Sequence, residues 1–83
     1  AVEWGPKNIT VNALCPGIIK TDFAKALWDN PEILASVEKN APLKRIGTPD
    51  EVAGAAILLA SSSGSFITGQ KIVMDGGVTI GGI

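Results

Sequence analysis

The sequence predicts an α/β fold, one part of a doubly wound parallel sheet, and three observations carry that expectation. Two short runs rich in β-branched residues, 9–15 and 71–75, flank a long stretch with helical periodicity. Strand, helix and strand in that order imply a parallel pair joined by a right-handed crossover. Such a sheet is stable only with several strands and with both faces covered. The 46% apolar content of the 83 residues is the third observation: two strands and a few helices cannot bury it by themselves, so it is surface prepared for further elements.

Ala1-Val2-Glu3-Trp4-Gly5-Pro6 reads as the last turn of a helix, with Gly5 at the C-cap and Pro6 blocking continuation. With no initiating methionine and no basic-then-apolar leader, the residues are expected to be the C-terminal piece of a longer chain. In the run 9–15, Ile9, Val11, Ala13 and Cys15 alternate with Thr10, Asn12 and Leu14, which suits a strand covered on both faces. Pro16-Gly17 ends it. Residues 21–40 suggest two helical segments, the first carrying Phe23, Ala26 and Leu27, the second opening with Asn30 as N-cap and Pro31 at the first helical position. Trp28 falls at their joint, as a seal for the corner or as a substrate contact.

Thr48-Pro49-Asp50-Glu51 is the strongest local signal, a capping box with proline at the first helical position. A helix from 49 to about 61 follows, with Val52, Ala55, Ala56 and Leu59 on one stripe and small or apolar residues around the rest. It is covered on more than one side. A serine-rich turn and a short connector then lead into the strand 71–75, which Gly76-Gly77 ends.

Composition excludes several classes. Seven basic against eight acidic residues give a net charge of −1 and no positive field for nucleic acid or an anionic membrane. The longest apolar stretch, 52–60, is far short of the roughly 20 residues that cross a bilayer. One cysteine and no histidine rule out an internal disulfide, a zinc finger and a His-based triad. No tyrosine is present, and no carboxylates or lysines form a recognisable acid/base pair.

Three ordered blocks carry a resemblance: Asn12-Ala13-Leu14-Cys15-Pro16-Gly17-Ile18-Ile19-Lys20-Thr21, then Pro42-Leu43-Lys44-Arg45-Ile46-Gly47-Thr48-Pro49-Asp50-Glu51-Val52-Ala53, then Ile67-Thr68-Gly69-Gln70 with Val73-Met74-Asp75-Gly76-Gly77. With that spacing the chain resembles the C-terminal third of a short-chain dehydrogenase/reductase with a single Rossmann domain. The resemblance implies an oxidoreductase that interconverts an alcohol and a carbonyl with NAD or NADP. It also implies a cytoplasmic homo-oligomer, a dimer or tetramer, with a small-molecule substrate. The family's glycine-rich phosphate loop and its Tyr-x-x-x-Lys pair have no counterpart in residues 1–83, so the chain alone is expected to be inactive. The alternative is a non-catalytic binding or assembly module.

Carried over residue by residue, Pro16 and Gly17 form the turn beside the nicotinamide, the backbone of Ile19 meets its carboxamide, and the Thr21 hydroxyl meets the carboxamide or the pyrophosphate. Ligands of open α/β sheets bind beyond the carboxyl ends of the strands, where Pro16 lies. Without the resemblance, Pro16-Gly17 is a plain turn and Thr21 the N-cap of a helix near Asp22; cap and ligand can coexist. The segment 21–43 matches the substrate-selective region, so Phe23, Leu27, Trp28 and Leu34 are expected to form an apolar lid over a hydrophobic or bulky carbonyl. The capped helix and last strand are expected to meet their copies across a two-fold axis, with Ala53, Ala56, Ile57 and Val73 at or near it. Arg45 is expected to bind backbone carbonyls or a carboxylate with its fork. Cys15 is expected as a small buried hydrophobe, and the Asn12 amide as a partner for neighbouring backbone.

Overall fold

β-Branched and small residues at 13–16 and 71–74 pair as a two-stranded parallel sheet, as the order of the elements requires. The computed structural model describes residues 1–81. Strand β1 is Ala13–Pro16 and β2 is Lys71–Met74, in the register Ala13 opposite Lys71 through Pro16 opposite Met74. Between them run the one-turn helix α1 (Lys25–Trp28), α2 (Pro31–Asn40) and α3 (Pro49–Ala60); α4 (Val78–Gly81) follows β2.

The caps read from sequence are in place. The Asn30 side chain accepts hydrogen bonds from the Glu32 and Ile33 N–H groups at 2.9 and 3.3 Å, with Pro31 opening α2. Glu51 accepts from the Thr48 N–H at 3.0 Å, and α3 starts at Pro49. On α3, Val52, Ala55 and Leu59 are half-buried, at i, i+3 and i+7. Ala56 falls off that stripe onto the exposed side.

Three elements differ from the sequence reading. Gly5 does not cap a helix; Gly5–Lys7 form a 3-10 turn through Pro6, and the left-handed cap is Asn8 at φ 59°. Proline at the start of a helical turn has no N–H to lose there, and asparagine tolerates the left-handed region. The first strand begins at Ala13, because residues 9–12 meet side chains and turns instead of a strand. The Val11 N–H donates to Thr68 Oγ1 at 3.0 Å, and the Asn12 amide donates to the Ile67 carbonyl and accepts from the Gln70 N–H, both at 3.0 Å. The first helical segment is confined to α1, since residues 21–24 are taken up by turn bonds from the Ala24 and Lys25 N–H groups to the Thr21 and Asp22 carbonyls.

A compact domain of this length has a radius of gyration of about 12 Å; this chain has 15.3 Å. Its 6101 Å² of accessible surface likewise exceeds the roughly 4650 Å² that size scaling gives. Among the described residues only Ile19 and Ala41 are buried hydrophobics, at 9% and 0% exposure. The centre of gravity of the packing is therefore at the carboxyl ends of the strands. Among the described residues no helix is long and apolar enough to cross a membrane.

Candidate functional site at the carboxyl ends of the strands

Three segments converge where β1 and β2 end. The Gly17 N–H donates to the Met74 carbonyl at 2.9 Å, and a Cβ on Gly17 would lie 3.0 Å from Cα and Cβ of Asp75. A side chain at this position would have to push the two strand ends apart by a few tenths of an ångström. The loop 42–47 closes the third side: the Leu43 N–H donates to the Gly76 carbonyl at 3.0 Å, and Pro42 rests on Gly77, whose φ of 91° suits glycine alone. Asp75 finishes the corner, its carboxylate accepting from the Gly77 N–H at 2.9 Å and from the Thr79 N–H and hydroxyl at 2.9 and 2.6 Å. Those donors, the Thr79 hydroxyl first, hold its carboxyl below the usual carboxylate range.

Beyond Gly17 the chain makes one further strand-like contact. Ile19 and Gly47 form a parallel bridge in which the Gly47 N–H donates to the Ile18 carbonyl and the Lys20 N–H to the Gly47 carbonyl, each at 3.0 Å. In that pattern the N–H and C=O of Ile19 point away from Gly47. The Ile19 carbonyl accepts from the Thr21 N–H at 2.8 Å, whereas the Ile19 N–H donates to no other described residue. Its side chain is buried against Gly47, and its N–H is a backbone donor without a partner among the described residues.

Thr21 acts as a local cap: its Oγ1 accepts from the Ala24 N–H at 3.2 Å, which leaves the hydroxyl proton available to an acceptor. The Trp28 indole N–H donates to the Thr21 carbonyl at 2.7 Å, and the Lys20 ammonium lies over the indole, 5.3 Å from its centroid. Trp28 thus ties α1 back to the turn at residues 20 and 21.

A cleft of about 890 Å³ opens at this end, lined by Pro16, Gly17, Ile19, Val37, Met74 and Asp75 among others. Pro16, Gly17 and Ile19 are brought together there, and Thr21 lies beside them at the end of the turn. Phe23, Leu27, Trp28 and Leu34 are not among the lining residues described; Phe23 is fully exposed and Leu27 45% exposed. Cys15 is free and half-buried on β1. Arg45 binds the Ile46 carbonyl at 3.1 Å and grips both Glu51 carboxylate oxygens at 2.8 Å. Two contributors were missed from sequence. Asp75 carried a usable signal, an acid two residues before Gly77 and four before Thr79; Gly47 carried none, because its partner lies 28 positions away.

Comparison with known proteins follows the same geometry. The family model described as Enoyl-(Acyl carrier protein) reductase matches residues 1–79. The 3-oxoacyl-[acyl-carrier-protein] reductase FabG of Chlamydia muridarum is 50% identical over 76 residues, 92% of this chain and 30% of that protein. The NAD-dependent glycerol dehydrogenase of Listeria innocua is 42% identical over 80 residues, 96% of this chain and 31% of that protein. The crystal structure of a gluconate 5-dehydrogenase from Burkholderia cenocepacia J2315 in complex with NADP and tartrate superposes with a TM-score of 0.88 at 38% identity, covering 95% of this chain and 31% of that one. The chain spans about 30% of the length of the curated relatives it matches. With its strands, turn and capped helix superposing on enzymes of this fold, the chain belongs to the short-chain dehydrogenase/reductase family, a family of Rossmann-fold oxidoreductases.

Proposed function

We propose that residues 1–83 are the C-terminal segment of a single NAD(P)-binding Rossmann domain, in an enzyme that interconverts an alcohol and a carbonyl. In this reading Pro16, Gly17, Ile19 and Thr21 receive the nicotinamide side of the cofactor. The observation that carries it is the Ile19 N–H, which points away from Gly47 beyond the carboxyl end of β1, beside the cleft, and has no acceptor among the described residues. A backbone donor so placed suits a carboxamide oxygen, and the remaining Thr21 hydroxyl proton suits a carboxamide or phosphate oxygen. The bound nicotinamide supplies the hydride chemistry; the residues here bind and orient it. Proton transfer falls to residues outside this sequence, which has no tyrosine, so the 83 residues by themselves turn nothing over. The relatives named for NAD and for NADP support a nicotinamide cofactor of either kind.

Phe23, Leu27, Trp28 and Leu34 cover the substrate in this proposal, by movement of the segment 21–43 toward the cleft. The enzyme is a cytoplasmic homo-oligomer with α3 and β2 at its two-fold axis. Fluorescence titration of NADH and NADPH against the protein carrying this segment tests the cofactor reading. Ile19→Pro removes the N–H and Ile19→Ala only the side chain. Weaker cofactor binding in the proline variant than in the alanine variant is expected, and equal affinities would defeat the assignment. A second reading, an assembly module without catalysis, is favoured by the exposure of Ile57 on α3 and of Val73 on β2, 67% and 51% open. It requires that no cofactor bind at all.

A further inference from the structure

We infer that Arg45 and Glu51 are positioning residues for the nicotinamide contact: their forked ion pair holds Gly47, and Gly47 holds the turn 18–20 that aims the Ile19 N–H. The inference rests on the proposed cofactor role of Ile19.

The chain of contacts is short. Arg45 binds both Glu51 oxygens at 2.8 Å and the Ile46 carbonyl at 3.1 Å, so its guanidinium spans from the start of α3 to the residue before Gly47. Glu51 Oε1 also accepts from the Thr48 N–H and hydroxyl at 3.0 and 3.2 Å, on the residue after Gly47. Gly47 is therefore fastened on both sides to one carboxylate. It then uses its N–H and its carbonyl, at 3.0 Å each, to grip residues 18 and 20. A Cβ on Gly47 would stand 2.7 Å from Cδ1 of Ile19, so the Ile19 side chain packs directly over Gly47.

An ordinary surface ion pair contributes little, and Arg45 and Glu51 are 52% and 46% exposed. A bidentate pair differs because two parallel bonds fix direction as well as distance. The same α3 start could be capped by glutamine, which also completes a capping box. The acid with an arginine fork is what the loop needs; the helix alone does not need it.

The experiment uses the protein carrying this segment and compares Glu51→Gln, Arg45→Met and Arg45→Lys with the parent. Glu51→Gln keeps the cap and loses the fork; Arg45→Lys keeps the charge and loses the fork. Expected is a rise in the dissociation constant of NADH or NADPH of about two- to fivefold for Glu51→Gln and Arg45→Met, the scale of a partly exposed ion pair acting through the turn. Amide hydrogen exchange at Gly47 and Lys20 should quicken while exchange within α3 stays as in the parent. Arg45→Lys should restore little of either. Unchanged cofactor affinity and unchanged exchange at Gly47 and Lys20 would overturn the inference, provided Ile19→Pro still weakens binding. If Ile19→Pro also binds as the parent does, the cofactor role of the turn fails and the positioning role with it. Quickened exchange throughout α3 in Glu51→Gln would mean that the pair serves the helix, which overturns the inference as well.

Discussion

The strand-end corner and the outer faces of this chain both carry small and apolar residues, yet they are finished differently. At the corner, Gly17 donates to the Met74 carbonyl, Gly47 bonds residues 18 and 20, Gly76 accepts from Leu43, the Asp75 carboxylate accepts from Gly77 and Thr79, and Ile19 is buried. On the outer faces, Val2, Phe66 and Ile57 stand 95%, 101% and 67% exposed, and a Cβ added to Gly54 in the middle of α3 would touch nothing within 4 Å. A few hydrogen bonds suffice to build this turn, because two parallel strands bring its backbone partners together. Apolar faces need area, and the chain has too few elements to cover its own.

The largest expected effect falls where the outer side is closed by the chain itself. Gly64 lies beneath the backbone of Leu58 and Leu59, so Gly64→Val must push the segment 62–65 off the end of α3. A loss at or above the upper end of the roughly 1–3 kcal/mol of overpacking is expected in thermal or denaturant unfolding. A well-tolerated valine would mean that this side is as loose as its neighbours.

Ala56→Arg addresses the exposed side of α3, where, in the proposed homo-oligomer, a long charged side chain would meet its own copy near the two-fold axis. Light scattering should show a lower oligomer mass. Retention of both mass and stability would place solvent there and remove the reason for an apolar outer face.

Thr21→Ala tests the corner. The hydroxyl caps Ala24 and is proposed to contact the cofactor, so cofactor binding should weaken by about 1 kcal/mol, the net worth of one neutral hydrogen bond. Thr21→Ser should keep both roles. Normal affinity with lowered stability would leave Thr21 as a cap alone.

The smallest effect is acid sensitivity at Arg45 and Glu51, both partly exposed. Hydrogen bonding by Arg45 first, and then by the Thr48 N–H, lowers the Glu51 carboxyl from 4.5 to about 2. A depressed carboxyl contributes stability that is fully present above 4.5 and is lost as pH falls through about 2. The stability difference between the parent and Glu51→Gln should therefore be constant near neutrality and shrink between those values. A difference that vanished above pH 5 would mean that the fork does not persist in solution.

Much of the fold was legible in the sequence because its signals are local. Asn30-Pro31 and Thr48-Pro49-Asp50-Glu51 mark helix starts through bonds spanning two or three residues, and those helices begin where expected. Pro16-Gly17 and Gly76-Gly77 likewise end the strands on backbone geometry alone. The parallel pairing followed from element order, and the family from three spaced blocks of residues. What tertiary structure decided are contacts between distant positions: that residues 9–12 bond to 67–70 instead of extending β1, that Gly47 pairs with Ile19, and that Arg45 chooses Glu51 among the available acids. Sequence spacing reports what one residue can do for its near neighbours along a helix or strand. It carries no distance between two turns, so the donor left free at Ile19 became visible only when Gly47 had taken up the groups on either side of it.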